Sequence, residues 1–197
     1  MNKPYSRLIP VVLLKHGMLV RSQLFKIHQV IGNPISTIQR YSSWSLDELV
    51  LLDISRDEDH HDLRREDLQM GYKGNSFLDV IDEVASVCAM PFTVGGRIKS
   101  IEDIAYRLER GADKCVINTE ALNNPNLIKE GSEKFGSQCI VVGIDAKRDL
   151  KGKIGIWKDG GREFVNIDIE EWAIKAQELG AGEIFLNSID CDGTAKG

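Results

Sequence analysis

Several features that mark particular classes of protein are missing from this chain of 197 residues. Basic residues are not in excess, since the formal net charge is −5, and general affinity for nucleic acid is therefore not expected. The chain has no run of about 18 apolar residues, and its first segment, MNKPYSRL, lacks the apolar core of a signal peptide. We therefore expect a cytoplasmic protein with no membrane span and one sizeable core.

Sulfur and histidine chemistry is also sparse. The four cysteines are far apart and form no CxxC pair, and Cys115 and Cys139 lie in apolar, strand-like runs, as reduced core cysteines do. The adjacent His60 and His61, in the run DEDHHD, lack a spacing that would bring metal ligands together. We interpret that run as a solvated charged loop, and we expect no metal and no cofactor.

Short apolar runs alternate with helix-patterned segments along the whole chain. The predicted strands cover residues 7–14, 48–54, 91–94, 114–117, 138–144 and 183–187. The predicted helices cover residues 34–43, 76–88, 101–110, 125–135 and 168–179. Nearly continuous apolar strands that alternate with helices indicate an α/β protein with a parallel sheet covered by helices.

A faint internal repeat favours one architecture. SLDELVLLDIS, GADKCVINTE and GAGEIFLNSID share a tight turn, a charged residue, an apolar strand and a polar end. This order suits a TIM (β/α)8-type barrel, whose active site forms at the C-terminal strand ends. An open doubly wound sheet is the alternative, and no GxGxxG turn supports it. The long loop 55–75 and a hairpin predicted within 147–166 should overhang the active-site face.

Three predicted strand ends carry candidate chemistry. Asp145 follows five apolar residues, where desolvation raises a carboxyl pKa towards acid–base work, although bonding to a loop amide explains an Asp there too. Gly95 and Gly96 would let backbone amides approach a phosphate, or form a plain tight turn. Asn118 and Thr119 offer an amide and a hydroxyl beside them, or a helix cap.

Other polar residues lie at both ends of the predicted strands. Asp53, Asn187 and Asp192 are candidates for binding substrate hydroxyls at the C-terminal rim, with loop-capping Asx turns as the alternative. Because side chains alternate along a strand, four charges at the opposite ends could converge at the bottom of a barrel, or simply flank the strands on the surface. These charges are Arg7, Glu48, Lys114 and Glu183.

The motifs as a set resemble one known family. RLIPVVLLK, DELVLLDIS, PFTVGGRI, RGADKCVINT, FGSQCIVVGIDAKR, LGAGEI and SIDCDGT are similar, in order, to the cyclase subunit of imidazole glycerol phosphate synthase, from histidine biosynthesis. The resemblance implies a barrel lyase that partners a glutamine amidotransferase. Ammonia from that partner would pass through the barrel and attack a bisphosphorylated substrate at the C-terminal face.

The resemblance also implies roles for individual residues. Asp145 would be one of two catalytic aspartates. Substrate and phosphate binding would involve Gly95, Gly96, Asn118, Thr119, Asp53, Arg21, Asn187 and Asp192. The ammonia gate would consist of Arg7, Glu48, Lys114 and Glu183, and the surface that faces the amidotransferase would include Asp113 and Gln138.

Three features depart from the family pattern. Leu13 stands where the family carries its other catalytic aspartate, in a pattern like CLDVKDG, and losing one of two acid–base groups should lower the rate by about 10² to 10⁴. Arg21 stands at the position of a loop lysine and cannot titrate near neutrality. The chain stops at Gly197, so we expect residues 1–197 to form a single barrel domain truncated after strand 6, without the last two β/α units.

A side branch of the family shares the leucine. These paralogues of bacterial surface-polysaccharide pathways are thought to feed ammonia to a sugar amidotransferase that builds an acetamidino group. Leu13 and the long loop 55–75 lead to the hypothesis that this chain belongs to that branch. A genuine histidine-pathway cyclase and a non-catalytic scaffold for the glutaminase are the alternatives.

Overall fold

The computed structural model describes residues 6–56, 76–149 and 151–195. The strands of this part are β1 (Val11–Lys15), β2 (Met18–Gln23), β3 (Ile27–Gly32), β4 (Leu49–Asp53), β5 (Phe92–Gly95), β6 (Lys114–Ile117), β7 (Ile140–Arg148), β8 (Ile154–Lys158), β9 (Glu163–Val165) and β10 (Glu183–Ser188). The helices are α1 (Pro34–Ser43), α2 (Phe77–Val87), α3 (Ile101–Glu109), α4 (Thr119–Asn123), α5 (Asn126–Phe135) and α6 (Ile169–Glu178). Residues 57–75, with His60 and His61, lie outside the described residues.

Helix starts follow local capping chemistry. The Asn33 side chain accepts hydrogen bonds from the first amides of α1, directly before Pro34. Ser76 and Ser100 begin α2 and α3 with capping boxes. The predicted helices are therefore confirmed to within one or two residues, and α4 is an additional short helix.

The sheet contains a parallel series, β1-β4-β5-β6-β7-β10, with an antiparallel hairpin attached at β1 and another at β7. The β8–β9 hairpin confirms the one predicted within 147–166. Parallel strands that alternate with covering helices establish the α/β, barrel-type architecture expected from the sequence.

The two ends of the parallel series approach each other through side chains. Within the described ranges no ladder joins β1 to β10. Arg7 lies 3.9 Å from Glu183 at the N-terminal end, and the Ser22 hydroxyl donates a 2.7 Å hydrogen bond to Asp192 at the C-terminal end. These two contacts therefore cross the gap between β1 and β10 at its two ends.

Apolar residues pack on both faces of the sheet. Two clusters lie between the strands and the helices, one around Leu14, Leu51 and Val94 and the other around Ile117, Ile144 and Trp172. A smaller third cluster lines the opposite, interior face with Val50, Val116 and Val141. The side chains that alternate with the helix-facing core therefore point into the interior.

The first strand differs from its prediction. It begins at Val11, not at residue 7, because Pro10 has no amide hydrogen to donate to a ladder, although its carbonyl accepts from Val50. The β2–β3 hairpin that follows was not predicted. None of the described helices has the length and apolar character needed to cross a membrane.

Candidate active site

Asp145 lies near the C-terminal end of the interior, directly opposite Asn187 in the β7–β10 ladder. Its residue surface is 7% exposed, and its carboxylate accepts hydrogen bonds from the side-chain amides of Asn118 at 3.0 Å and Asn187 at 3.5 Å. Burial raises the pKa of this carboxyl to about 6, against the two amides, which favour the ionised form. The group can therefore both give and accept a proton near neutrality.

Gly143 makes room for this arrangement. A Cβ at Gly143 would lie 3.1 Å from Asn118 Nδ2, so a larger residue would displace the amide that contacts Asp145. The other side-chain atom of this amide, Asn118 Oδ1, is buried and has no hydrogen-bond partner among the described residues. It offers an acceptor beside the carboxylate for an N–H or O–H group of a ligand.

The opposite side of the mouth is apolar. Leu13 lies beside Leu52 on one neighbouring strand and Val20 on the other, and cross-strand neighbours share a face. The mouth is therefore divided between an aliphatic wall at β1, β2 and β4 and a polar wall around Asp145. No carboxylate occupies position 13.

The glycine turn after β5, at Gly95 and Gly96, packs closely against the backbone of Asp53. Gly96 has φ +112°, and a Cβ there would lie 2.3 Å from the Asp53 carbonyl oxygen, so only glycine fits. Gly95 lies opposite Val116 on β6, which brings this turn beside Asn118, as predicted. A phosphate at these backbone groups stays a prediction.

Asp53, which was predicted to lie near the substrate, contacts protein groups. Its side chain is 1% exposed, pairs with Arg97 at 3.0 Å and accepts from the Ser55 amide at 3.0 Å. It shares side-chain parity with Leu51 of the helix-facing core, whereas Leu52 faces the interior. Asp53 therefore holds the glycine turn and does not line the mouth.

Arg107 supports the same turn from α3. This buried guanidinium donates to the Gly96 carbonyl at 2.8 Å and to the Asp103 carbonyl at 2.7 Å. Burial lowers its pKa, an effect that Asp103 opposes. Sequence reasoning missed Arg97 and Arg107, and only the helical spacing of Asp103 and Arg107 hinted at a link.

Thr119 and Arg21 were also predicted to bind substrate, and each has its own set of neighbours. The Thr119 hydroxyl accepts a hydrogen bond from the Asp159 amide at 3.1 Å and so ties α4 to the β8–β9 turn. Arg21 is exposed on β2 and alternates with Ser22, the residue that faces Asp192. The structure does not bring Arg21 together with Asp145.

Asp192 also contacts protein where substrate was expected. Its carboxylate accepts from the Ser22 hydroxyl at 2.7 Å and from the Phe25 amide at 3.0 Å. Sequence reasoning missed Ser22, and it missed the 3.2 Å contact between Lys15 Nζ at the end of β1 and His28 Nδ1 on β3. No local signal predicts these pairs, because they depend on the fold of the hairpin.

The four predicted gate charges converge at the N-terminal end. Lys114 lies 3.2 Å from Glu48 and 2.6 Å from Glu183, and Arg7 also pairs with Glu48. These carboxylates raise the pKa of Lys114 above its usual value although desolvation, the largest single effect, lowers it. The ring is therefore two positive and two negative charges in mutual contact.

A cavity of about 340 Å³ is lined at one end by three residues of this ring, Arg7, Glu48 and Glu183. Its apolar lining includes Ile9, Val50, Val116, Val141 and Phe185. The same interior face continues along β7 to Asp145. The charged ring, the apolar cavity and the carboxylate thus follow one another along the interior.

The two residues predicted to face a partner lie at the N-terminal strand ends. Asp113 is exposed before β6, where it accepts from the Phe92 amide at 2.8 Å, and Gln138 is exposed before β7. The described residues contain no group of three or more His, Cys, Asp or Glu side chains arranged to hold a metal ion.

Comparisons with known proteins place this geometry in a family. The family model of the histidine biosynthesis protein matches residues 7–197. The imidazole glycerol phosphate synthase subunit HisF of Lachnoclostridium phytofermentans is 44% identical over 193 residues, which are 98% of this chain and 70% of that protein. The subunits of the same name from Staphylococcus carnosus and Methanocaldococcus jannaschii are 40% and 42% identical, again over 98% of this chain and over 71% and 73% of those proteins.

These relatives carry the name of the histidine-pathway enzyme, which supports the alternative of a genuine cyclase subunit better than the surface-polysaccharide hypothesis. The match extends over almost the whole chain and includes the strands that carry Asp145, Asn118 and the charged ring. The chain therefore belongs to the histidine biosynthesis protein family, among relatives of the HisF subunit of imidazole glycerol phosphate synthase.

Proposed function

We propose that this chain is an ammonia-accepting cyclase subunit of the imidazole glycerol phosphate synthase type. The observation that carries the proposal is that the charged ring, the apolar cavity and Asp145 lie along one interior face. A glutamine amidotransferase would dock at the N-terminal face, near Asp113 and Gln138, and release ammonia into the ring. Neutral ammonia suits an apolar passage, which an ammonium ion would enter only with a desolvation cost.

Chemistry at the mouth then follows from Asp145. An ammonia nitrogen that adds to an electrophilic carbon becomes positively charged and loses a proton to a base. Ionised Asp145 can accept that proton and return it to a departing oxygen or nitrogen. The proposal assigns one substrate phosphate to the backbone at Gly95 and Gly96, beside Asn118.

A second function is favoured by one observation, the aliphatic wall at Leu13. With no carboxylate at that position, the chain would deliver ammonia to another acceptor, as in acetamidino-sugar synthesis, with a sugar amidotransferase as a further partner. A third possibility is a non-catalytic scaffold for the glutaminase, in which Asp145→Asn would leave product formation in the coupled system unchanged.

Complementation separates the first two functions. The wild-type chain and Leu13→Asp are each expressed in a histidine auxotroph that lacks its own cyclase subunit. Growth with the wild type supports the histidine-pathway proposal. Growth with Leu13→Asp alone contradicts it and supports the second function, because the added carboxylate should raise cyclisation by about 10²-fold. Cyclisation of the bisphosphorylated precursor with ammonium salts in vitro measures the same difference directly.

A further inference from the structure

The turn between β2 and β3 has a backbone conformation that is energetically unfavourable for the residues that form it. Leu24 and Phe25 both adopt left-handed conformations, with φ of 54° and 57°, and neither is glycine or asparagine. The sequence QLFK contains none of the usual turn residues. Contacts from elsewhere in the fold are therefore needed to hold this conformation.

Those contacts come from the loop after β10. The Leu24 amide donates to the Asp192 carbonyl at 3.0 Å, and the Phe25 amide donates to the Asp192 carboxylate at 3.0 Å. The Ser22 hydroxyl donates to the same carboxylate oxygen at 2.7 Å. Gly193 packs so closely that a Cβ would lie 2.1 Å from the Ser22 carbonyl oxygen. One residue thus satisfies both left-handed amides.

The position of this contact gives it a role beyond turn stability. β2 and β3 extend from β1, at one end of the parallel series, whereas Asp192 follows β10, at the other end. Asn187, five residues before Asp192, contacts Asp145. The anchored hairpin therefore bridges the C-terminal mouth beside the candidate proton-transfer group.

We propose that Asp192 is a positioning residue that anchors the β2–β3 hairpin across the mouth, acting as a hydrogen-bond acceptor and not through contact with substrate. The hairpin face that carries Val20 and Ser22 then borders the space beside Asp145. The catalytic consequence of this anchoring rests on the proposed function, whereas the anchoring itself does not.

The test compares Asp192→Ala with Asp192→Asn, because asparagine keeps an acceptor oxygen but loses the charge. Asp190→Ala is the matched control, since Asp190 binds the Arg148 amide and not the hairpin. Amide hydrogen exchange at Phe25 is measured by NMR in the full chain without substrate. We expect exchange to be about tenfold faster in Asp192→Ala and within about threefold of wild type in the other two variants. Unchanged exchange in Asp192→Ala overturns the proposal.

Turnover with ammonium salts supplies the second readout. Asp192→Ala should lose about tenfold in kcat/KM, and Asp192→Asn should recover most of it, because the hairpin is anchored again. If Asp192→Asn is as impaired as Asp192→Ala, the carboxylate charge itself is required and a positioning role is wrong. If the wild type shows no turnover, the proposed function fails, while the exchange experiment still decides whether Asp192 anchors the turn.

Discussion

Asn118 on one strand end donates a 3.0 Å hydrogen bond to Asp145 on the next, and the acceptor is a carboxyl whose pKa burial raises to about 6. The amide fixes the orientation of the carboxylate and favours its ionised form, while burial favours the neutral form. The pair therefore keeps a proton-transfer group balanced between its two states near neutral pH.

Replacing Asp145 by asparagine should remove proton transfer and keep the shape. We expect kcat for ammonium-dependent cyclisation to fall by about 10² to 10⁴, with a smaller change in KM. Steady-state kinetics on the purified chain provide the measurement. Asp82→Asn, at an exposed carboxylate paired with Arg110, is the matched control and should retain wild-type kinetics. Equal activity of Asp145→Asn and wild type would leave Asp145 without a catalytic role.

The raised pKa of Asp145 also predicts a pH dependence of stability. Between the usual value of 3.8 and about 6, the unfolded chain releases this proton while the folded chain keeps it. The folded state binds more protons in that window, so the free energy of unfolding should fall as pH rises through it, by about 3 kcal/mol. Urea titrations of wild type and Asp145→Asn at pH 4 and pH 7 measure the difference. A difference between the two proteins that does not change with pH would contradict the raised pKa.

Arg107 should matter more for stability than its neighbour Arg110. Arg107→Ala removes the guanidinium that donates to the Gly96 and Asp103 carbonyls and leaves a gap in a buried site, so we expect a loss of about 2 to 4 kcal/mol in the free energy of unfolding. Arg110→Ala removes an exposed pair with Asp82 and should change it by less than about 1 kcal/mol. Denaturant unfolding of both variants tests the ranking, and a larger effect at Arg110 would reverse it.

Replacing Lys114 should impair the delivery of ammonia from the amidotransferase more than the reaction with added ammonium. Lys114→Met leaves Glu48 and Glu183 with only Arg7 as a described cationic partner in the ring, and the free energy of unfolding should fall by about 1 to 3 kcal/mol. Under the proposed function, glutamine-dependent turnover with the amidotransferase should fall more than turnover with added ammonium. Lys129→Met, at a solvent-exposed pair with Glu133, is the control. It should change neither the ratio of glutamine-dependent to ammonium-dependent turnover nor the free energy of unfolding. An equal loss in both assays would argue against a gate.

Much of the fold and part of the site could be predicted from local pattern. The convergence of the charged ring followed from strand alternation, which fixes which residues face the interior. Asp145 and Asp53 were both predicted from their positions at strand ends, without regard to side-chain parity. Asp145 shares the parity of the interior Val141, whereas Asp53 shares that of the helix-facing Leu51.

The β2–β3 hairpin could not be predicted in the same way. Its turn contains Leu24 and Phe25 in left-handed conformations, which local sequence disfavours. The groups that stabilise it, Asp192 and Gly193, lie almost at the other end of the chain. A single sequence carries no sign of a contact over that separation, and the roles of Asp192 and Ser22 became visible only in three dimensions.

The two apolar clusters between strands and helices share no residue, and this division has a consequence for folding. The first is drawn mainly from β1, α1, β4, α2 and β5, and the second from α3, β6, α5, β7 and α6. Substitutions in separate cores tend to add, so one change in each cluster should lower the free energy of unfolding by nearly the sum of the two single effects. Asn118 and Asp145 lie at the ends of strands that pack in the second cluster, and Leu13 lies on a strand that packs in the first. A substitution in the first cluster should therefore disturb the aliphatic wall more than the proton-transfer pair.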